Sequence, residues 1–289
     1  MARARILALS GTGEPTNWRE VQPDALIVPS NFVRREVSWN WPVRPVGVFV
    51  SPHGVCPDSA GLSAAEPIPR KPRAMIYTSH PSKGLSPTLR ILELLRTEDS
   101  AFTLDVFGGQ ALWGDTDHPV TGPGITWQGL TPQDRLHRAY PAFGFAMHLQ
   151  RRLEPFGVSL VESMYAGCIA IASPAGAYAE IVRHGENGFL VEGDPEQPDT
   201  QERAARLILD LSRKPEPLIR VRDQARRSPV AWLDVARSWI RYAEALVGGR
   251  MNELPDGTVC VECGGAEFGA PDGQHCVACG NYRPHVCPD

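Results

Sequence analysis

The chain has 289 residues, enough for one large domain or two modest ones with a buried core. Hydrophobic residues make up 42% and charged residues 21%, which excludes wholesale disorder. A net charge of -4 argues against a protein that lives on nucleic acid or on an anionic membrane.

Arg3 and Arg5 precede only a short apolar stretch at residues 6–9, too short for a signal-peptide core. No apolar run approaches the ~18 residues of a membrane span, so a cytoplasmic protein with no membrane span is expected. Three zones follow from the pattern. Residues 1–45 hold two strands, 6–9 and 25–28. Residues 46–248 alternate short apolar runs with amphipathic stretches. Residues 249–289 are rich in Gly and Cys and poor in large apolar side chains.

In the middle zone the predicted strands are residues 46–50, 74–78, 102–107, 125–128, 144–148, 168–172 and 189–191, each bounded by turn residues. Ser86 is placed as an N-cap with Pro87 at N1, ahead of Leu89, Leu92 and Leu95 at helical spacing. Residues 201–211 are amphipathic. Residues 230–246 set Trp232, Val235, Ala236, Trp239, Ile240, Ala243 and Leu246 on one helix face. Strands alternating with helices predict an α/β fold with a doubly wound, Rossmann-like parallel sheet. Ligands of such sheets bind at the carboxyl ends of the strands, so chemistry is expected in the loops after Thr78, His148 and Ala172.

The loop after His148 leads to two carboxylates, Glu154 and Glu162, with seven residues between them. A helix starting near Gly157 points its first N–H groups at whatever lies over the sheet, and such helix ends bind phosphate. Glu154 falls just before that helix and Glu162 inside it. Two acceptors flanking a phosphate cradle suit a ligand with hydroxyls at both ends of a diphosphate, as a nucleotide sugar has.

At these residues the chain resembles the retaining family-4 glycosyltransferases of the GT-B fold. The resemblance rests on Glu154-Pro155-Phe156-Gly157 with Glu162, on Ser163-Met164-Tyr165-Ala166-Gly167, on residues 176–182 and 185–191, and on Lys83-Gly84-Leu85 upstream. It extends in order over roughly residues 20–248, with 29–33 and 52–55 similar to segments that lead into the family's donor domain. It implies that Glu154 contacts the donor sugar near the reacting centre and that Glu162 accepts hydrogen bonds from the ribose hydroxyls. Backbone at Phe156, Gly157 and Val158 then holds sugar or phosphate, and Lys83 offsets charge on the leaving diphosphate without a metal ion. Where the family usually carries an Arg five residues before the Lys, this chain has Thr78; His80, Arg151 and Arg152 are the candidates to compensate, and His80 is assigned to the donor site. Residues 1–45 resemble only the end of the family's first domain. A second copy of the chain, or a separate acceptor-domain protein, is therefore expected as a partner.

Asp115-Thr116-Asp117 has the Asp-x-Asp form of a metal-held diphosphate site, but it lies in a loop rich in Gly and Pro and is read as a polar turn. In the tail, Cys260, Cys263, Cys276 and Cys279 form two CxxC pairs separated by twelve residues. That spacing predicts a structural zinc ribbon in a reducing compartment, with an iron site of rubredoxin type as the rival reading. Its surroundings are acidic (Glu253, Asp256, Glu262, Glu267, Asp272 and Asp289 against Arg283), which disfavours nucleic acid as its partner. The expected function is hexose transfer from a nucleoside-diphosphate sugar to a hydroxyl acceptor. The alternative is a non-catalytic donor-fold adaptor or sensor whose ribbon mediates protein interaction.

Overall fold

A computed structural model describes residues 4–12, 23–40, 47–56, 70–248, 257–259, 266–270, 273–276 and 282–284, with backbone alone for 38–40, 215–217 and the segments after 256. In chain order the described elements begin with β1 (Ile6–Ala8), β2 (Ala25–Val28), α1 (Asn31–Asn40), β3 (Gly47–Val50), β4 (Lys71–Ser79) and α2 (Leu85–Glu98). There follow β5 (Thr103–Gly108), β6 (Ile125–Gly129), α3 (Gln133–Ala139), β7 (Phe143–His148), α4 (Val158–Tyr165), β8 (Ile169–Ala172), α5 (Tyr178–Ile181) and β9 (Phe189–Leu190). The chain continues through α6 (Pro198–Arg213), α7 (Pro215–Arg227) and α8 (Trp232–Val247) to β10 (Gly257–Val259), β11 (Ala266–Ala270), β12 (Gly273–Cys276) and β13 (Tyr282–Pro284). Contacts divide the chain into two compact units, residues 55–231 and residues 1–54 with 232–289.

The unit of residues 55–231 is built on a six-stranded parallel sheet of order β6-β5-β4-β7-β8-β9. The chain enters at β4, runs outward to β6, returns to β7 beside β4, and runs outward again to β9. That reversal opens a crevice between the carboxyl ends of β4 and β7, where successive connections diverge. Both faces of the sheet are covered, so its central strands carry apolar runs, residues 74–77 in β4 and 143–147 in β7, and β7 and β8 are buried at every residue. Met75 and Tyr77 on one face meet Ile91, Leu92 and Leu95 of α2 and Ile208 of α6. Ala74 and Ile76 on the other face meet Tyr140, Phe143 and Cys168. Leu160 and Met164 of α4 pack on Ala170 and Ala172 together with Ala225 of α7.

In the other unit, β1, β2 and β3 form a parallel three-stranded sheet. Tyr242 of α8 is fully buried against it and stacks on Phe49 with ring centroids 4.7 Å apart. Trp239 Nε1 donates to Ser51 Oγ at 2.7 Å. After residue 256, β10 to β13 form an antiparallel meander.

The nine strands expected from the sequence all occur, with ends moved by at most three residues. Three other expectations change. α2 starts at Leu85 behind Gly84, so Ser86 and Pro87 fall inside its first turn. Proline is tolerated there because the first N–H groups of a helix have no intrahelical acceptor. α8 buries Val235, Tyr242 and Ala245, while Trp232 and Ile240 are exposed. Its inner stripe is thus rotated from the expected face toward the tyrosine that stacks on the sheet. Finally, the units change over at Gly54/Val55 and Ala231/Trp232 rather than near residues 45 and 248, because β3 pairs with β2 and α8 packs with the same strands. Among the described residues, no helix is long and apolar enough to cross a membrane.

Candidate functional site

The first half of the site forms where β4 and β7 end. After β4 the chain makes a short 3-10 turn at Pro81–Lys83, and Lys83 N donates to His80 O at 2.8 Å. Gly84 follows with φ 97, and a Cβ there would lie 1.8 Å from Leu149 O. Only glycine fits that backbone conformation and that approach. The Lys83 turn therefore lies against the chain leaving β7. Lys83 Nζ reaches Glu154, 2.9 Å from Oε2 and 3.2 Å from Oε1. Gln150 Nε2 donates to Glu154 Oε2 at 3.0 Å. The pair is largely enclosed, with side-chain exposures of 22% for Lys83 and 13% for Glu154. Backbone bonds fix Glu154 in place: its carbonyl accepts from Ala177 N at 2.8 Å and its amide donates to Ala175 O at 3.4 Å. Beside it, burial first, and the Glu154 carboxylate second, push the Tyr178 hydroxyl well above its usual pKa, so it stays protonated.

Gly157, with φ 95, caps α4, and a Cβ there would lie 2.3 Å from the Tyr178 ring. The glycine is thus required by its backbone conformation and by packing. Leu160 N and Val161 N donate to Gly157 O, so the amides of Val158 and Ser159 precede the first intrahelical bonds. The Phe156 side chain is buried with Val55 and Val161, whereas Val158 is exposed.

The second half forms between α3 and α4. Glu162 lies on the α4 side that faces α3, where Gln133 Nε2 donates to its Oε1 at 3.0 Å. His137 Nε2 is 2.9 Å from the same oxygen, at contact distance but off the hydrogen-bond axis. Both side chains of that pair are nearly enclosed, 6% exposed for His137 and 11% for Glu162. The next residue on α4, Ser163, donates to Leu160 O and lies 3.3 Å from His148 Nε2. Full burial pushes His148 down to a pKa of about 3, so it is neutral at ordinary pH.

Thr78 stands where an Arg was the expected family residue, and it faces the buried Tyr140 hydroxyl. Of the candidates to compensate, Arg151 pairs with Asp194 at 3.3 Å and the Arg152 guanidinium lies 5.3 Å from the centre of the Trp113 ring. His80 stacks on Trp113 at 3.7 Å. Its Nδ1 accepts from Ser82 N at 3.2 Å, so the neutral ring carries its proton on Nε2. That Nε2 has no hydrogen-bond partner among the described residues.

Asp117 Oδ1 accepts from Ala111 N at 2.9 Å and caps the turn at Gln110–Trp113, which agrees with a polar turn at 115–117. Among the described residues no group of three or more His, Cys, Asp or Glu is gathered as a metal site. Cys260, Cys263 and Cys279 lie outside the described residues, and of Cys276 only the backbone is described. The structure thus brings together Lys83 with Glu154, sets Glu162 on the following helix, and leaves His80 in a stack with Trp113. Gln150, Gln133, His137 and Trp113 were not singled out from the sequence. The spacing of Gln133 and His137, one helical turn apart, was the only local signal for two of them.

Residues 74–227, just over half of the chain, match the family described as Glycosyl transferases group 1. Rice (Oryza sativa subsp. japonica) sucrose synthase 4 is 32% identical over 104 residues, which is 32% of this chain and 11% of that protein. Among solved structures, the pneumococcal O-GlcNAc transferase GtfA in complex with UDP and GlcNAc aligns at a TM-score of 0.63 with 16% identity, over 79% of this chain and 46% of that one. Anabaena HepE in complex with UDP and glucose gives 0.61 and 18%, over 83% and 71%. Sucrose-phosphate synthase from Thermosynechococcus elongatus gives 0.63 and 17%, over 84% and 68%. The chain thus spans less than half of the GtfA chain, and its parallel α/β sheet has the fold of these GT-B glycosyltransferases. The chain belongs to the glycosyl transferases group 1 family.

Proposed function

We propose that this group 1 chain is the donor-binding portion of a retaining, family-4-type glycosyltransferase that moves a hexose from a nucleoside-diphosphate sugar to a hydroxyl acceptor without a metal ion. The observation that carries the reading is the Lys83–Glu154 pair at the carboxyl ends of β4 and β7, next to the start of α4. In an open parallel sheet that crevice is the general place for a ligand. The presence of UDP in the GtfA and HepE structures supports a nucleoside-diphosphate donor.

In this reading the backbone at Phe156, Gly157 and Val158 and the dipole of α4 hold the diphosphate and sugar. Lys83 offsets charge on the leaving diphosphate, one such donor being worth about 3 kcal/mol, and His80 is assigned to the same site. Glu154 accepts from sugar hydroxyls near the reacting carbon, and Glu162 accepts from the ribose. The bond from the anomeric carbon to the diphosphate oxygen breaks, and its electron pair leaves with the diphosphate. The acceptor oxygen bonds to the same face of that carbon, and its proton passes to the diphosphate.

The tail is assigned a structural zinc ion held by Cys260, Cys263, Cys276 and Cys279, in a cytoplasmic, reducing setting. The spacing of the two CxxC pairs supports it. Thr78 in place of Arg favours the second reading, a non-catalytic donor-fold adaptor.

A thermal-shift titration of the zinc-loaded chain with UDP, GDP, ADP and TDP, without divalent metal, tests the donor site. One nucleotide at ~100 times its dissociation constant should stabilise the fold by about 2.7 kcal/mol, and Glu162→Ala should remove the shift. No shift with any of the four sinks the donor-site reading. A shift without transfer to any acceptor, unaltered by Glu154→Gln, selects the adaptor.

A further inference from the structure

The Glu162 carboxylate is held in one orientation before any ligand is considered. Gln133 and His137 sit one turn apart on α3 and present their nitrogens to the same oxygen, Oε1, at 3.0 and 2.9 Å. Among the described residues no hydrogen bond goes to Oε2. One hydrogen bond from Gln133 and one close packing contact from His137 on the same oxygen restrain the carboxylate about its last bond and leave Oε2 as the acceptor for a ligand. The imidazole cannot swing aside. It is nearly enclosed and lies along the fully buried Tyr140 ring, with centroids 6.3 Å apart and planes 26° apart.

We infer that Gln133 and His137 are positioning residues that aim Glu162 and thereby set the preference of the site for a sugar carrying both ribose hydroxyls over a deoxygenated one. This rests on the proposed assignment of Glu162 to the ribose. A carboxylate free to rotate spends part of its time misaligned with a vicinal diol, and that loss falls only on ligands that have the hydroxyls. A merely structural role for the two residues weakens all nucleotides alike.

The test measures binding of UDP, GDP and ADP, each against its own 2′,3′-dideoxy form, by calorimetry on the full zinc-loaded chain. Wild type is expected to prefer the ribose form of the accepted base by about tenfold or more, the size of a charge-assisted hydrogen bond or two. In His137→Ala and Gln133→Ala that preference should shrink several-fold, with dideoxy binding unchanged. His137→Gln, whose amide nitrogen can occupy the place of the imidazole Nε2, should restore most of it. If His137→Ala does not fold, Gln133→Ala carries the same expectation. An undiminished preference in the variants, or an equal loss for both forms, overturns the inference while the donor reading stands. A wild type that binds no nucleotide, or binds both forms equally, overturns the ribose assignment itself.

Discussion

The two carboxylates that frame α4 are treated differently by the fold. Glu154, in the loop before the helix, meets an ammonium group, Lys83 Nζ, at 2.9 Å and an amide from Gln150. Glu162, on the helix, meets an amide and an imidazole from a neighbouring helix. An ion pair is set at the switch point of the sheet, and a carboxylate held by an amide and an imidazole is set on the helix that follows. The same residue type thus acquires two surroundings and, in the proposed function, two tasks. Five substitutions break or sharpen that contrast.

The largest effect is expected from Gly84→Ala. A Cβ at φ 97 would lie 1.8 Å from Leu149 O, so the Lys83 turn must move away from β7. Strain and overpacking together should cost about 4 kcal/mol, read from urea unfolding, and a loss under 1 kcal/mol would contradict the geometry. Next, Glu154→Gln should lower kcat about a hundredfold, some 2.7 kcal/mol, while Glu162→Gln should chiefly raise the donor KM by about tenfold. Steady-state kinetics with the accepted donor decides this, and equal effects on kcat would erase the distinction between the two sites.

His148, behind α4, gives a pH signature. Its folded pKa of about 3 lies far below the ~6.5 of an unfolded histidine. The unfolded chain therefore takes up the proton first. The contribution is fully present above about pH 6.5 and is lost as pH falls below it, at up to about 1.4 kcal/mol per pH unit. Urea midpoints from pH 7 to 5 should fall less steeply in His148→Gln, and parallel curves would show that the ring is not held neutral. The smallest stability effect is expected for Lys83→Met. About a fifth of that side chain is exposed, so losing the pair should cost about 1 kcal/mol, less than for a fully buried pair. A loss of 3 kcal/mol or more would mean that the pair serves the fold rather than the ligand.

The strands were legible because a sheet covered on both faces needs short, nearly continuous apolar runs, as in β8 and in residues 143–147 of β7. α7 was not singled out: two prolines and several arginines dilute its pattern, and only Leu218, Val221 and Ala225 mark the buried stripe. The start of α2 was misplaced because Ser86-Pro87 is a good local signal, whereas the approach of Gly84 to Leu149 O is a contact across the sheet.

Local sequence determined the strands of the parallel sheets and that they run parallel, since both depend on periodicity and on turn residues near one another in the chain; the expectation of chemistry after β4, β7 and β8 rests on the same signals. The tertiary structure alone decided who meets whom. Lys83 and Glu154 are 71 residues apart, and Gln133 and Glu162 are 29 apart. Such pairs carry no local period. They form because the strand order doubles back at β4 and β7, and because α3 and α4 pack on the same face of the sheet, where burial leaves each polar group only the partners the fold supplies.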